Sequence, residues 1–347
     1  MKKRRLLKVL GGLLGLAALA GPAAAQEVTL RVHWATPMQA PIARFGVQEW
    51  VKKVETQSGG RIKIESFYAM SLGGTPAQLF DQVRDGQVDI SATVLGYTPG
   101  RFTRTEVFEL PFMTLAGENA AQKTSRALWE YTEKNAMDEL KEVHLLAIFT
   151  AGPGVVHARD PITAMEGMRG KKIRGGSRIV NNMLSKLGAN PVGMPFTAIP
   201  EGLSKGVLDA TLGPWELVPP LRLQDLVKSH TDFVGGKSLY NGVNAMFMNK
   251  ARYDKLPADL KKVIDDNTGL ETSAMFGAAM DKGDMGGRAL AEKSGNKLIH
   301  LDEAETQRWI SATEGVEKEW IAEVAKKGID GKKLVEEARA LIAKHAK

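Results

Sequence analysis

The side chains of this sequence that are best suited to bind a metal ion or to transfer protons are its six histidines. They are His33, His144, His157, His230, His300 and His345. No two of them stand four residues apart in a predicted helix, and none lies near carboxylates at the spacing typical of zinc sites. The pattern therefore predicts no metal site. For His33 and His157, which fall in predicted strands, it favours a hydrogen-bonded structural role.

The common sequence signatures of catalysis are missing as well. There is no G-x-S-x-G nucleophile motif, no G-x-x-x-x-G-K-[ST] phosphate loop, and no G-x-G-x-x-G after the first predicted strand. Asp265 and Asp266 share an amphipathic pattern with Lys261 and Lys262, which is typical of a solvated helix face. The sequence contains no cysteine, which excludes a cysteine nucleophile, a thiolate metal site and a lipid anchor on cysteine. We therefore predict a binding protein without a cofactor, and an exported hydrolase with an unfamiliar site is the remote alternative.

The first 25 residues have the composition of a secretory signal peptide. Four basic residues precede an apolar run from Leu6 to Ala20, and the small residues Ala23 to Ala25 predict cleavage after Ala25. The apolar run is shorter than the ~20 residues of a membrane-spanning helix, so no membrane insertion of the mature chain is expected. Cleavage removes five of 47 basic residues and none of the 40 acidic ones, leaving 42 − 40 = +2. A nucleic-acid partner is not predicted from so small a charge.

Alternating apolar and polar residues predict three strands in the first part of the mature chain, at 28–35, 61–67 and 88–94. Helical spacing follows Pro41 and again Thr75. A β-α-β-α-β order predicts an α/β fold with a parallel, doubly wound sheet, whose ligands bind beyond the carboxyl ends of the strands. The loops expected to contact a ligand are therefore 36–40, 71–75 and 95–100.

Breaks further along the chain predict two discontinuous domains. After a predicted strand at 143–150, Ala-Gly-Pro-Gly at 151–154 indicates a crossing into a second α/β domain, and a return follows near Gly235. One long helix is predicted from 257 to 293, spanning both domains. The predicted boundaries are a signal peptide at 1–25, domain I at 26–150 plus about 237–275, domain II at 151–236 plus about 276–325, and an outer C-terminal helix at 326–347.

Six segments, in order, carry a resemblance to a known family. They are SGGRIKIESFYAMSLGG (58–74), QVRDGQVDIS (82–91), FELPF (108–112), MRGKKIR (168–174), LGANPVGMPF (187–196) and GVLDATLGP (206–214). Together they resemble the DctP-like solute-binding subunits of tripartite ATP-independent periplasmic (TRAP) transporters over nearly the whole mature chain. The resemblance implies a two-domain Venus-flytrap fold in the periplasm. It also implies an organic carboxylate as ligand and the membrane subunits of the transporter as partners.

The same resemblance assigns a role to Arg174. In that family, the arginine that closes a K-[IL]-R strand forms the salt bridge to the ligand carboxylate, and Arg174 holds that position here. The chemistry agrees, because a guanidinium is a planar fork that matches a carboxylate with two hydrogen bonds and stays charged when water is excluded.

Departures from the family pattern narrow the expected ligand. Many members carry a second arginine where Pro153 stands, and many have Q-E-N-P where this chain has Thr-Leu-Gly-Pro around Gly213, followed by Trp215. These changes remove hydrogen-bond donors and add aromatic area, which favours an aromatic or apolar monocarboxylate. A hydroxy or keto acid is the alternative. Besides Arg174, Pro153 and Gly213, the predicted contacts are Thr36, Met38, Tyr97, Phe112, Phe196 and Trp215.

Overall fold

The computed structural model describes residues 27–346, so the predicted signal peptide lies outside the described residues. In this part of the chain eleven strands form two mixed sheets. The strands are β1 Val28–His33, β2 Ile62–Phe67, β3 Ile90–Val94, β4 Val143–Thr150, β5 Val155–Ala158, β6 Lys172–Gly175, β7 Asn190–Gly193, β8 Ala210–Gly213, β9 Ser229–Phe233, β10 Val243–Asn249 and β11 Lys297–Leu301.

Helices cover both sheets. They are α1 Gln48–Gln57, α2 Leu79–Arg84, α3 Ala120–Asn135, α4 Arg178–Lys186, α5 Ile199–Ser204, α6 Val218–Leu221, α7 Leu223–Leu226, α8 Lys250–Asp254, α9 Ala258–Asp266, α10 Leu270–Lys293, α11 Glu303–Ala325 and α12 Gly331–His345. Side chains cap some of their first turns. Thr75 and Gln78 form a capping box before α2, and the Ser177 hydroxyl accepts the Val180 N–H at the start of α4.

The prediction that the first three strands are parallel is confirmed, since β1 pairs in parallel with both β2 and β3. The strands next to the crossings run antiparallel to their neighbours. The first sheet has the order β2-β1-β3-β10-β4, in which β10 runs antiparallel to β3 and β4. The second has the order β11-β9-β5-β8-β6-β7, with β5 antiparallel to β8 and β9. The register explains the direction. Val243, where the chain enters β10, pairs with Thr150, where β4 ends, so the returning strand begins beside the end of the departing one.

The predicted helix at 257–293 is two helices. Gly269 has φ 105°, a conformation that favours glycine, and its N–H donates to the Leu146 carbonyl in the first sheet. The chain therefore changes direction between α9 and α10. Strand β7 ends at Gly193, and Phe196 begins a short 3-10 turn.

The apolar core lies on both faces of the first sheet and continues into the second. Met246 and Met248 of β10 pack with Trp50 and Phe276 on the side of α1 and α10. Phe247 points to the other face, into a cluster that extends to the side chains of β6, α4 and α11. A smaller cluster fills the space between β5 and helices α5 to α7. Successive side chains of β10 thus point to opposite faces of the sheet and pack into different parts of the core, as the geometry of a strand requires.

Helix α10 connects the two halves of the molecule. Near its start it packs on α3, and near its end it packs on the turn Trp215–Leu217 beyond β8. Of the last two helices, α11 packs on α4 and α12 packs on α3. No helix within residues 27–346 has both the length and the apolar run that a membrane crossing needs. The domain boundaries given above stay a prediction.

Close packing at Gly277 allows a direct test of the α10 interface. A Cβ there would lie 2.6 Å from the Ala121 carbonyl oxygen, whereas a Cβ at Gly286 on the same helix would meet nothing within 4 Å. We expect Gly277→Ala to lower the free energy of unfolding by ~1–3 kcal/mol through overpacking. Gly286→Ala is the matched control and should raise it by up to about 1 kcal/mol, because alanine is the better helix former.

Urea denaturation of both variants provides the measurement. Equal stabilisation by the two substitutions would contradict the close approach of α10 to α3.

Candidate functional site

A cavity of about 110 Å³ lies between the two sheets. Its wall is mostly apolar. The apolar and aromatic residues that line it are Trp34, Ile42, Pro76, Phe149, Val180, Phe196, Pro214, Leu217, Tyr240 and Met280. Two of the loops expected to contact a ligand reach it, through Thr36 and Tyr97, while the third contributes only its neighbour Pro76. The position agrees with the rule that ligands bind beyond the carboxyl ends of the strands.

Arg174, in β6, is a buried cation on this wall. Its side chain donates from Nε to the Met194 carbonyl at 2.8 Å and from one terminal nitrogen to the Leu212 carbonyl at 3.0 Å. The other terminal nitrogen donates to the Tyr97 hydroxyl at 3.2 Å. These three bonds fix the plane of the guanidinium. Gly176 lies against that plane, because a Cβ there would be 3.0 Å from the nearest terminal nitrogen.

The charge of Arg174 has no carboxylate partner within the described residues, although the residue is only 3% exposed. A guanidinium has five N–H groups, so one on each terminal nitrogen stays without a protein acceptor. A buried charge of this kind is costly unless an opposite charge pairs with it. The arrangement can therefore bind an anion through two parallel hydrogen bonds.

Tyr97 joins the two halves of the cavity. It follows β3 of the first sheet, yet its hydroxyl oxygen accepts hydrogen bonds from Arg174 and from the Phe196 N–H at 3.0 Å, both on the side of the second sheet. Burial raises the pKa of Tyr97, and the nearby Arg174 opposes that increase. The phenol thus stays protonated, and its own O–H is left to donate into the cavity.

The structure places four of the nine predicted contacts on the cavity wall, namely Arg174, Tyr97, Thr36 and Phe196. It does not bring the other five there. Met38 is exposed at 50%, Pro153 lies in the crossing between β4 and β5, and Phe112 packs edge-on against Phe233. Gly213 and Trp215 lie on either side of Pro214, which does line the cavity.

The structure corrects the reason given for Trp215 and Gly213. The Trp215 ring turns away from the cavity and packs on His157 and His230. The Gly213 carbonyl accepts from the His157 ring at 3.1 Å, and the Leu217 side chain fills the space beside its Cα. The departures from the family pattern at these positions therefore do not alter the cavity wall directly.

Both histidines expected to be structural are hydrogen-bonded. His33 contacts the Gln82 amide oxygen at 2.8 Å, and the two rings of His157 and His230 contact each other through Nδ1 at 2.6 Å. Burial, with a smaller effect of His230, lowers the pKa of His157 to about 3. Within residues 27–346 no three histidine or acidic side chains come together as a metal site would need.

Sequence reasoning missed two carboxyl groups on the wall. Glu109 and Glu216 are 2% and 4% exposed, and burial raises the pKa of each to about 7. The Ser177 hydroxyl and, at 3.4 Å, the Val243 N–H hydrogen-bond to Glu109. Trp34, also missed, ends the first strand segment and presents its indole to the cavity. The segment FELPF contained Glu109, but nothing in the sequence indicated that this glutamate is buried.

Comparison with known families places these features in context. The model of the DctP family, described as bacterial extracellular solute-binding protein, family 7, matches residues 37–323. A TRAP solute-binding protein from Rhodoferax ferrireducens T118, solved with copurified benzoate, is 44% identical with a TM-score of 0.89, covering 92% of this chain and 98% of that one.

Two other solved structures are similar along their full length. A marine metagenome TRAP solute-binding protein specific for aromatic acid ligands, solved with 3-hydroxybenzoate, is 42% identical with a TM-score of 0.90, covering 93% of this chain and 100% of that one. A TRAP periplasmic solute-binding protein from Bordetella bronchiseptica, with bound (R)- and (S)-mandelate, is 28% identical with a TM-score of 0.83. The match covers 91% of this chain and 99% of that one. All three share the two-domain α/β fold.

The raised pKa of Glu216 predicts a pH dependence of stability. The folded-state pKa of about 7 lies above the ordinary value of 4.5, so the unfolded chain releases its proton first as the pH rises. The contribution of Glu216 to the free energy of unfolding therefore decreases between about pH 4.5 and pH 7. We expect the free energy of unfolding of Glu216→Gln, relative to that of wild type, to increase by up to about 3 kcal/mol between pH 5 and pH 8.

Chemical denaturation of the ligand-free protein at several pH values measures this difference. Glu49→Gln, at an exposed position of α1, is the control and should show a constant difference. A constant difference for Glu216→Gln as well would contradict the raised pKa.

Proposed function

The chain belongs to family 7 of the bacterial extracellular solute-binding proteins, and from this premise we propose that it captures an aromatic monocarboxylate for a TRAP transporter. The ligand would occupy the cavity between the two sheets, with its carboxylate on Arg174. The loaded protein would then deliver it to the membrane subunits. The family is one of periplasmic transport proteins, and the proposal includes no chemical conversion of the ligand.

The observation that carries the proposal is the unpaired charge of Arg174. Three hydrogen bonds to Met194, Leu212 and Tyr97 orient the guanidinium but do not neutralise it. A ligand carboxylate supplies the missing charge and accepts the two free N–H groups. The Tyr97 hydroxyl offers a further donor beside it. A monocarboxylate therefore matches the charge of this part of the wall.

The rest of the cavity supports an aromatic body. Phe149, Phe196 and Met280 give it apolar surfaces, and its volume of about 110 Å³ is of the order of the ~150 Å³ apolar cavities that admit benzene. A sugar acid with many hydroxyls would leave most of them unpaired here. Solved relatives at 44% and 42% identity hold benzoate and 3-hydroxybenzoate. A single ring with one carboxylate fits all of these constraints.

Substitution of Arg174 tests the carboxylate contact. Removing one partner of a buried charge pair costs ~2–5 kcal/mol, so Arg174→Ala should weaken benzoate binding by about 30-fold to several thousand-fold. Arg174→Lys keeps the charge but loses the planar, two-pronged hydrogen-bonding group, so its affinity for benzoate should lie between those of wild type and Arg174→Ala. Titration calorimetry measures the affinities, and the thermal midpoint without ligand reports on folding.

Arg159→Ala is the matched control, since Arg159 is an exposed arginine just after β5, in the second sheet. It should leave the affinity unchanged. If Arg174→Ala folds and binds benzoate as wild type does, the assignment of Arg174 is wrong.

A thermal-shift screen tests the ligand class. A ligand at ~100 times its Kd adds ~2.7 kcal/mol of stability, so benzoate or phenylacetate should raise the midpoint while succinate, malate and sialic acid should not. A shift with lactate or pyruvate equal to that with benzoate would favour a small hydroxy or keto acid instead. Arg174→Ala provides the control, because its shift with each of the acids that stabilise wild type should be much smaller than that of wild type. Mass spectrometry of ligand released from the protein should recover it unchanged.

A further inference from the structure

Buried polar atoms without a partner are concentrated on the cavity wall. Within residues 27–346, nine buried side-chain oxygen or nitrogen atoms have no hydrogen-bond partner. Three of them belong to residues that line this one cavity, namely Trp34 Nε1, Glu109 Oε2 and Glu216 Oε2. Buried polar groups in folded proteins nearly always have partners, so such a concentration calls for a physical reason.

The carboxyl of Glu216 has fewer hydrogen bonds than that of Glu109. Glu109 still accepts hydrogen bonds through its other oxygen. For Glu216, burial alone accounts for the raised pKa of the carboxyl, and no hydrogen bond opposes it. The main chain at Glu216 is held in place, since its N–H donates to Asp284 at 2.7 Å. Its Cβ lies against α10, next to Gly283. Glu216 thus lines the cavity from a fixed backbone, and its buried Oε2 has no partner within the described chain.

We propose that Glu216 is a specificity-determining residue, whose carboxyl hydrogen-bonds to a hydroxyl group on the ring of the aromatic ligand. This inference rests on the proposed function and names the ligand class more closely, as a hydroxylated aromatic monocarboxylate. No hydrogen bond or ion pair joins Glu216 to Arg174, which is held by Met194, Leu212 and Tyr97. The ligand therefore presents its carboxylate and its hydroxyl to separate parts of the wall.

The donors and acceptors at the wall select a hydroxyl over other substituents. The Trp34 indole can only donate, and the Glu216 carboxyl can accept, or donate when protonated. A ligand hydroxyl suits either group, because it can accept from an indole N–H and can donate to a carboxyl. An ammonium group has nothing with which to accept. A second carboxylate would add negative charge beside Glu109 and Glu216, and Arg174 is the one basic residue among those described that line the cavity.

One solved relative holds aromatic acids with a hydroxyl group on the ring, 3-hydroxybenzoate and metahydroxyphenylacetate. The chemistry of these ligands agrees with the inferred ligand class, an aromatic acid with a hydroxyl group on its ring. Burial also keeps the Glu216 carboxyl protonated below about pH 7, so that it need not repel the ligand carboxylate.

Titration calorimetry at pH 6 provides the experiment, with benzoate and with 2-, 3- and 4-hydroxybenzoate. The measured quantity is the ratio of the Kd for benzoate to the Kd for the best hydroxybenzoate. For wild type we expect a ratio of about 5 to 30, as one well-placed hydrogen bond provides. In Glu216→Leu the ratio should fall to about one. Glu216→Met repeats the test with a more flexible side chain if the leucine variant does not fold.

Glu139→Gln is the matched control, because Glu139 is another partly buried glutamate, bonded to the Arg104 N–H and absent from the cavity wall. It should keep the wild-type ratio. A wild-type ratio of about one, or a preference that survives in Glu216→Leu and Glu216→Met, overturns the role of Glu216. If none of the four acids binds wild type, the proposed function itself fails. If benzoate binds and the hydroxyl adds nothing, only the inference on Glu216 fails.

Discussion

The constraint on which the site depends is a positive charge that is buried without a counter-charge. Desolvating a guanidinium costs several kcal/mol, and hydrogen bonds to carbonyl groups recover only part of that cost. The chain nevertheless arranges Met194, Leu212 and Tyr97 around Arg174, and places Gly176 where any larger residue would press on the guanidinium. These contacts orient the charge toward the cavity. A ligand that brings the opposite charge would offset the remaining desolvation cost of the guanidinium when it binds.

Tyr97 links this charge to the arrangement of the two halves. Its hydroxyl bonds to Arg174 and to the Phe196 main chain, so the charged group and the contact between the sheets share one atom. A second link lies deeper, where Arg178 at the start of α4 pairs with Glu106 at 2.5 Å and Trp320 of α11 donates to the same carboxyl at 3.1 Å. Helix α10 packs on both sides. The contact between the two sheets and the burial of the Arg174 charge therefore depend on the same hydroxyl group.

Local patterns were sufficient to predict most of the strands and the position of Arg174, because period-two alternation and a short motif are both encoded in neighbouring residues. The antiparallel direction of β10 was not predicted, since the pairing of Val243 with Thr150 depends on residues about ninety positions apart. The break at Gly269 required knowledge of its contact with Leu146. Trp215 had the right composition for a cavity wall, but its ring direction is decided by His157 and His230, which lie in other strands. Glu109 and Glu216 were missed for the same reason, because their burial is a tertiary property.

The same low dielectric that makes Arg174 require an anion changes the chemistry of the glutamates opposite. In water two carboxylates would repel an acidic ligand, and a cavity lined by Glu109 and Glu216 would seem unsuited to one. Burial instead raises the pKa of each to about 7, so that below neutral pH they are neutral hydrogen-bonding groups. A ligand with one carboxylate then balances Arg174 and leaves the glutamates uncharged. In the proposed function, a ligand with two carboxylates would bring an uncompensated negative charge into the cavity, which favours monocarboxylates over dicarboxylates without any steric barrier.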